Sequence, residues 1–459
     1  MAFTIDTQTY ADIEIFSKDK KTPSIFGFYN RTETIGGREL LYKIIRSPFS
    51  DKQFLENRKA EIRFFHDLDD SLKFSKRQLD FVEFYLKSRR IPLRNNFIDA
   101  AKDNIAYKLN SNSDYYTIGE GIIHLSCLLK DLKAFLTRIL ENVPTKSLKD
   151  SFAVVLDCIN YKLLKEFIDN IPDDIRKLKS KQINFLDNFY RDKKVQEIRN
   201  VLNTVYYIDV LQSLSRLLED EQFCLPEYSV GKGPIFDVVD CIHPLLKDPV
   251  PNSTTLNEKQ SLCFVTGPNM SGKSTFLKTM GILTYLAHLG IPVPARRLEI
   301  PVLSGLFTTI NLSDSLNQGY SHFFAEVNRV KDMAEQLEKN SRIVVILDEL
   351  FRGTNVKDAF DGTLMVVDSL SKIKGAFFFI STHILEAAEQ LSSTESIEFK
   401  CFESVLNQDV PLYDYKLKEG ISEERMGMQI IRREGVEEIF AGIIEKQKIM
   451  STSSNNEPN

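Results

Sequence analysis

Gly267-Pro268-Asn269-Met270-Ser271-Gly272-Lys273-Ser274-Thr275 decides the reading of this chain, because it satisfies G-x-x-x-x-G-K-[ST] at every fixed position. Before it, Leu262-Cys263-Phe264-Val265 is a short apolar run that reads as a buried strand. After it, Phe276, Leu277, Met280, Leu283 and Leu286 recur at helical spacing. Strand, glycine turn and helix start, in that order, present backbone N–H groups and the positive end of a helix dipole to phosphate. Lys273 adds a charge at the β- and γ-phosphates, and Ser274 a hydroxyl for Mg²⁺. A glycine turn that merely links strand to helix is the bland alternative. With all fixed positions matched between a strand and a helix, the stretch predicts binding of a nucleoside triphosphate.

Two further strands bear on the same site. Ile343-Val344-Val345-Ile346-Leu347 is an apolar run ending in Asp348-Glu349. At the C-terminal end of a parallel strand, Asp348 can hold Mg²⁺ directly or through water, and Glu349 can orient or deprotonate the attacking water. A second run, Ala376 to Ile380, ends in Ser381-Thr382-His383, which predicts His383 as a γ-phosphate sensor. Between them, Gly319-Tyr320-Ser321 opens a helical pattern. Such a turn can bind an anion, although an ordinary N-capped helix explains the letters equally well.

The chain has 459 residues, 42% of them hydrophobic and 27% charged, as in an ordinary soluble globular protein of several domains. Its net charge of −5 carries no global nucleic-acid signature. Six cysteines are scattered without a C-x-x-C pair, so reduced thiols and a cytoplasmic location are expected. No signal peptide or membrane-length apolar run is visible. Up to about residue 225 the periodicity is helical, with stripes at Leu128, Leu132, Phe135, Ile139 and Val143, and at Val201, Val205, Ile208, Leu211, Leu214 and Leu218. Beyond it short β-like runs alternate with helices, as a layered α/β domain requires. The expected division is a helical domain over 1–225, an α/β domain over 226–445 and a flexible tail over 446–459.

The order P-loop, Ser turn, Asp-Glu, Gly-Thr, His resembles the ABC-type ATPases and specifically the MutS family of DNA mismatch repair proteins. Thr266 to Thr275 is similar to that family's T-G-P-N-M-x-G-K-S-T, Asp348-Glu-Leu-Phe-Arg-Gly-Thr354 to its D-E-x-x-R-G-T, and Thr382-His383 to its T-H. Asp361-Gly362 and His243-Pro244 fall where the family has the same pairs. More weakly, Thr34 to Leu41 looks like the T-x-x-G-x-x-L-L that opens the family's core (lever) domain, and Asp209-Val210-Leu211 like its D-V-L. The resemblance implies a multidomain chain, with an α-helical core/lever domain followed by an α/β ABC-type P-loop ATPase domain. It implies ATP and Mg²⁺ as ligands, and a homodimer in which Ser321 of one copy approaches the γ-phosphate held by the other. Asn269 would lie near the phosphates; Tyr415 would pack near the nucleotide, or be an ordinary strand aromatic.

Departures from the pattern shape the expectation. By that resemblance the chain is expected to begin at the core domain without the family's mismatch reader, and the stretch from Arg58 to Tyr207 is short for a full DNA-gripping clamp. Gly319-Tyr320-Ser321-His322 replaces the usual G-x-S-T, and Arg425 to Met428 replaces S-Y-G-[IL]. DNA contact without sequence-specific readout would fall to Arg176, Lys177, Lys179, Lys181, Lys193 and Lys194, although acids nearby also fit a solvated helix face. The expected function is a dimeric ATPase that clasps DNA in repair or recombination. The alternative is a nucleotide-dependent module acting on a ribonucleoprotein or protein partner, with little DNA affinity.

Overall fold

The computed structural model describes residues 3–17, 19, 22–73, 75–95, 113–171, 177–229, 235–310, 322–407, 410–422 and 435–453. They form two compact units. One comprises Ile15–Pro226 and Tyr285–Val293; the other comprises Phe3–Glu14, Glu227–Thr284 and the chain from Pro294 onward. A single cut near residue 225 does not provide for this exchange of two segments. Both helix and sheet are present, with two mixed sheets, and no helix among the described residues is long and apolar enough to cross a membrane.

Helix α1 (Thr7–Asp12) lies in the second unit; the first carries α2 (Ile25–Tyr29), α3 (Ile35–Ile45), α4 (Lys52–His66), α5 (Lys76–Lys87), α6 (Ser113–Ile139), α7 (Lys146–Ile159), α8 (Lys162–Asp169), α9 (Ser180–Asn188) and α10 (Val195–Ser215). Both expected stripes are buried, on α6 and α10, with one exception. At the end of α10 the chain tightens into a 3₁₀ turn, Arg216–Glu219, and Leu217 takes the inward place instead of Leu218. Three residues per turn instead of 3.6 advance the phase by that one position. Thr34 caps α3, its Oγ1 accepting from Gly37 N at 2.7 Å. Asp209 on α10 accepts from Glu33 N and Thr34 N at 3.0 and 2.8 Å. A Cβ at Gly37 would come within 2.3 Å of Asp209 Oδ2, and one at Gly36 within 2.3 Å of the Tyr206 ring. The T-x-x-G and D-V-L letters are thus two halves of one helix–helix joint.

The second unit holds β1 (Glu227–Tyr228), β2 (Ile235–Cys241), β3 (Asn252–Asn257), β4 (Leu262–Thr266), α11 (Lys273–Ala287, as far as Thr284), β5 (Arg297–Ile300), β6 (Gly305–Thr309), α12 (His322–Lys339), β7 (Ile343–Asp348), α13 (Val356–Ser371), β8 (Phe377–Ser381), α14 (Leu385–Leu391), β9 (Ile397–Asn407), β10 (Val410–Glu419) and α15 (Val436–Ser453). The larger sheet runs β10-β9-β4-β8-β7-β6, parallel except for β10. Strands β4, β7 and β8 are apolar along their lengths because parallel strands covered on both faces have no solvated side. Phe276 of α11 meets Phe379 and Phe402 edge-on at 6.4 and 6.1 Å, which seats the helix that follows the P-loop.

The N-terminal segment laces edge strand β6. Thr4 N donates to Ser304 O at 2.8 Å and Leu306 N to Thr4 O at 3.0 Å. Buried Asp12 accepts from Thr308 Oγ1 and Ile310 N at 2.7 and 3.0 Å. At the other end, α15 runs to Ser453, so residues 446–453 of the expected tail are helical. Glu437 and Glu438 in its first turn suit the helix dipole, and no proline interrupts residues 436–453.

Candidate functional site

The P-loop follows β4 and ends in the first turn of α11. Gly267 and Gly272 take φ values of 145° and 108°, which only glycine adopts without strain. A Cβ at Gly267 would also come within 2.6 Å of Phe402 O. Lys273 is buried, and its Nζ donates to Gly267 O at 2.8 Å and Pro268 O at 3.0 Å. Burial pulls this ammonium below its usual pKa range; Asp348 opposes the shift and Arg352 reinforces it. Ser271 Oγ is fully buried with no hydrogen-bond partner among the described residues. The loop thus presents a buried ammonium and a buried hydroxyl without a partner among the described residues, donors of the kind that suit an anion.

The two carboxylates stand one strand away from the P-loop, because β8 lies between β4 and β7. Ser381 is in register with both Val265 and Asp348, and its hydroxyl donates to Asp348 Oδ1. Glu349 N donates to Ser381 O at 3.1 Å. The Glu349 side chain is almost buried, pairs with Arg352, and lies 3.8 Å from His383 Nδ1. Burial lowers the His383 pKa, and the Arg352 and Lys273 cations lower it further against the pull of Asp348. The imidazole is therefore neutral near pH 7.

A cavity of about 470 Å³ joins these parts. Asn269, Met270, Gly272, Lys273, Ser274 and Thr275 line it, together with Glu349. Gly267, Pro268 and Ser271 form the loop behind it; Asp348 and His383 reach its residues but do not line it. Ser321 lies outside the described residues. The far wall is made by Cys241, His243, Val250, Asn252, Phe402 and Tyr415. Motif reading found only His243 and Tyr415 of these, since the others carry no letters that separate a pocket wall from a strand.

Tyr415 stands at an irregularity of its strand. The β9–β10 register shifts between Tyr413 and Leu417, and Tyr415 itself has a φ of 55°. Asn252 holds this bulge from both sides, donating to Tyr415 O at 3.0 Å and accepting from Leu417 N at 2.7 Å. Bulges of this kind re-aim a side chain, and here Tyr415 joins the P-loop wall. Of the basic residues considered for DNA, Lys177, Lys179, Lys181 and Lys193 are exposed, Lys194 pairs with Glu197 at 2.7 Å, and Arg176 lies outside the described residues.

A family profile described as MutS domain V matches residues 263–450. The chain is 29% identical over 266 residues to the DNA mismatch repair protein MutS of Petrotoga mobilis, covering 57% of this chain and 32% of that one. It is 30% identical over 250 residues to the MutS of Aquifex pyrophilus, covering 54% and 29%. To the MutS of Clostridioides difficile it is 27% identical over 463 aligned positions, covering 81% of this chain and 48% of the relative. The chain thus spans about a third to a half of the length of the curated relatives it matches. Over residues 263–450, which carry the P-loop and the Asp348–Glu349 strand end, the chain thus matches the MutS family.

Proposed function

We propose that this chain is a MutS-type ABC ATPase that binds and hydrolyses ATP and uses the cycle to clasp DNA. The carrying observation is one cavity shared by Lys273, Ser274, Glu349 and Tyr415. Lys273 leaves the Gly267 and Pro268 carbonyls for the β- and γ-phosphates, which the loop's N–H groups surround. Ser274 and Asp348 would hold Mg²⁺, which neutralises phosphate charge when bound. Glu349, held beside Arg352, orients the attacking water and takes its proton. Neutral His383 donates to the γ-phosphate, and Tyr415 packs near the nucleotide. Replacing Lys273 with Ala should abolish binding of a fluorescent ATP analogue; retained binding at micromolar analogue would sink the site assignment.

The remaining parts of the reading concern partners. The Clostridioides match covers more of the chain than the ATPase region alone can supply, which supports reading the helical unit as a core/lever domain. A homodimer through the ATPase domains, with Ser321 reaching the second copy's γ-phosphate, is consistent with an exposed apolar stripe on α15 made of Ile439, Phe440, Ile443 and Ile444. Clasping of DNA in repair or recombination is supported by what the relatives' names say of those proteins. Filter binding to duplex, branched and single-stranded DNA across a salt series tests it: affinity should fall as salt rises. A flat, near-zero response for all three would remove DNA as the partner.

A further inference from the structure

The loop after Glu349 is gripped by a side chain that neither the motifs nor the proposed chemistry uses. Glu349 and Phe351 have φ values of 53° and 61°, a conformation that residues with a Cβ keep only where their surroundings impose it. The Phe351 ring is wedged between Phe323 of α12, 5.8 Å away edge-on, and Gly362 of α13, where a Cβ would come within 3.0 Å of the ring. Glu326, three residues beyond Phe323 on α12, is only 6% exposed. Its carboxylate accepts from Arg352 N at 3.2 Å and from Gly353 N at 3.3 Å. Pulling donors away from a buried carboxyl group costs free energy, so the contact holds both amides in place. The residue so pinned, Arg352, is the one whose guanidinium pairs with Glu349.

We infer that Glu326 is a positioning residue for hydrolysis: by holding the Arg352 and Gly353 amides it sets where Arg352 meets Glu349, and so where the Glu349 carboxylate stands at the cavity. In the phosphate-cradling part of the site, from Gly267 to Thr275, Lys273 instead hydrogen-bonds to Gly267 O and Pro268 O of its own loop. Loss of Glu326 should therefore act on turnover and leave nucleotide affinity alone. The inference rests on the ATPase reading given above.

The test measures ATP turnover, affinity for a fluorescent ATP analogue and thermal unfolding for the full chain and its E326A and E326Q variants. Glu326→Ala should lower kcat at least about tenfold while KM and analogue affinity stay within about threefold, the signature of an interaction needed only for the chemical step. Glu326→Gln keeps one carbonyl acceptor and should restore part of the loss; it also carries the test if the alanine variant does not fold. Undiminished kcat in the variants, or a loss of kcat matched by an equal loss of affinity, overturns the inference. Wild-type chain that binds the analogue yet shows no turnover overturns the ATPase reading and this inference with it. Wild-type turnover that the variants share overturns the Glu326 role alone.

Discussion

The cavity of about 650 Å³ among the helices of the first unit and the cavity of about 470 Å³ at the P-loop differ less in size than in what their walls do with their charges. In the helical cavity Arg58 donates to Leu289 O at 2.7 Å and lies 4.7 Å from the Phe54 ring. Glu61 accepts from Thr145 Oγ1 at 2.5 Å and from the Tyr207 hydroxyl at 2.6 Å. These groups bind helices α4, α7 and α10 together. At the P-loop, Lys273 bonds only to carbonyls of its own loop among the described residues, Ser271 Oγ has no partner, and Met270 is 82% exposed. Volume therefore does not identify the site. The proposed site is marked instead by donors that bond only within their own loop, or to nothing, among the described residues.

Substitutions on the two sides should fail differently. The largest separation is expected for Glu349→Gln, which removes the proposed base and should lower ATP turnover by about 10²- to 10⁴-fold with analogue binding intact; turnover near the wild-type rate would cancel the contrast. Arg58→Ala strips a buried donor from the Leu289 carbonyl and should cost about 2–4 kcal/mol in chemical denaturation, with ATP affinity unchanged within about twofold. If affinity drops with stability, the helical cavity is more than a joint.

A smaller loss is expected at Tyr207. Replacing it with Phe leaves one Glu61 oxygen without its hydroxyl donor, at a cost of about 1–2 kcal/mol by urea titration and no kinetic change. Asn252→Ala should loosen the bulge that aims Tyr415 and weaken ATP binding about five- to tenfold at unchanged kcat, read by titration. Last comes pH. Burial and nearby cations lower the His383 pKa below its ordinary 6.5, so below that pH the unfolded chain takes up a proton that the folded chain refuses. Stability should be flat above about pH 6.5 and decline as pH falls from there toward the folded pKa. A His383→Gln variant should lose that part of the slope; an identical slope would show that other groups produce it.

The P-loop letters were legible because each one answers a local demand: glycine for positive φ at 267 and 272, lysine for charge, a strand before and a helix after. The paired acids were legible for the same reason, at the end of an apolar run. The far wall of the cavity was not. Cys241, Val250 and Phe402 look like any strand or loop residue until the sheet order brings β9 beside β4. Asn252 is 163 residues from the bulge it holds, and no period along the chain connects them. The extension of α15 into residues 446–453 was not legible, because Lys446-Gln447-Lys448 and Ser451-Thr452-Ser453 carry no apolar period of their own.

The sequence by itself therefore determined the P-loop, the Asp348–Glu349 strand end, the helical stripes of the first unit and the match to a family, all of which depend on neighbours within a turn or a strand. Tertiary structure decided which wall faces that loop, that Asp209 and Gly37 share one joint, that Thr4, Thr9 and Asp12 lace β6, and that Glu326 reaches Arg352. Each of these requires residues far apart in the chain to meet, and such meetings are set by the packing of whole elements against one another.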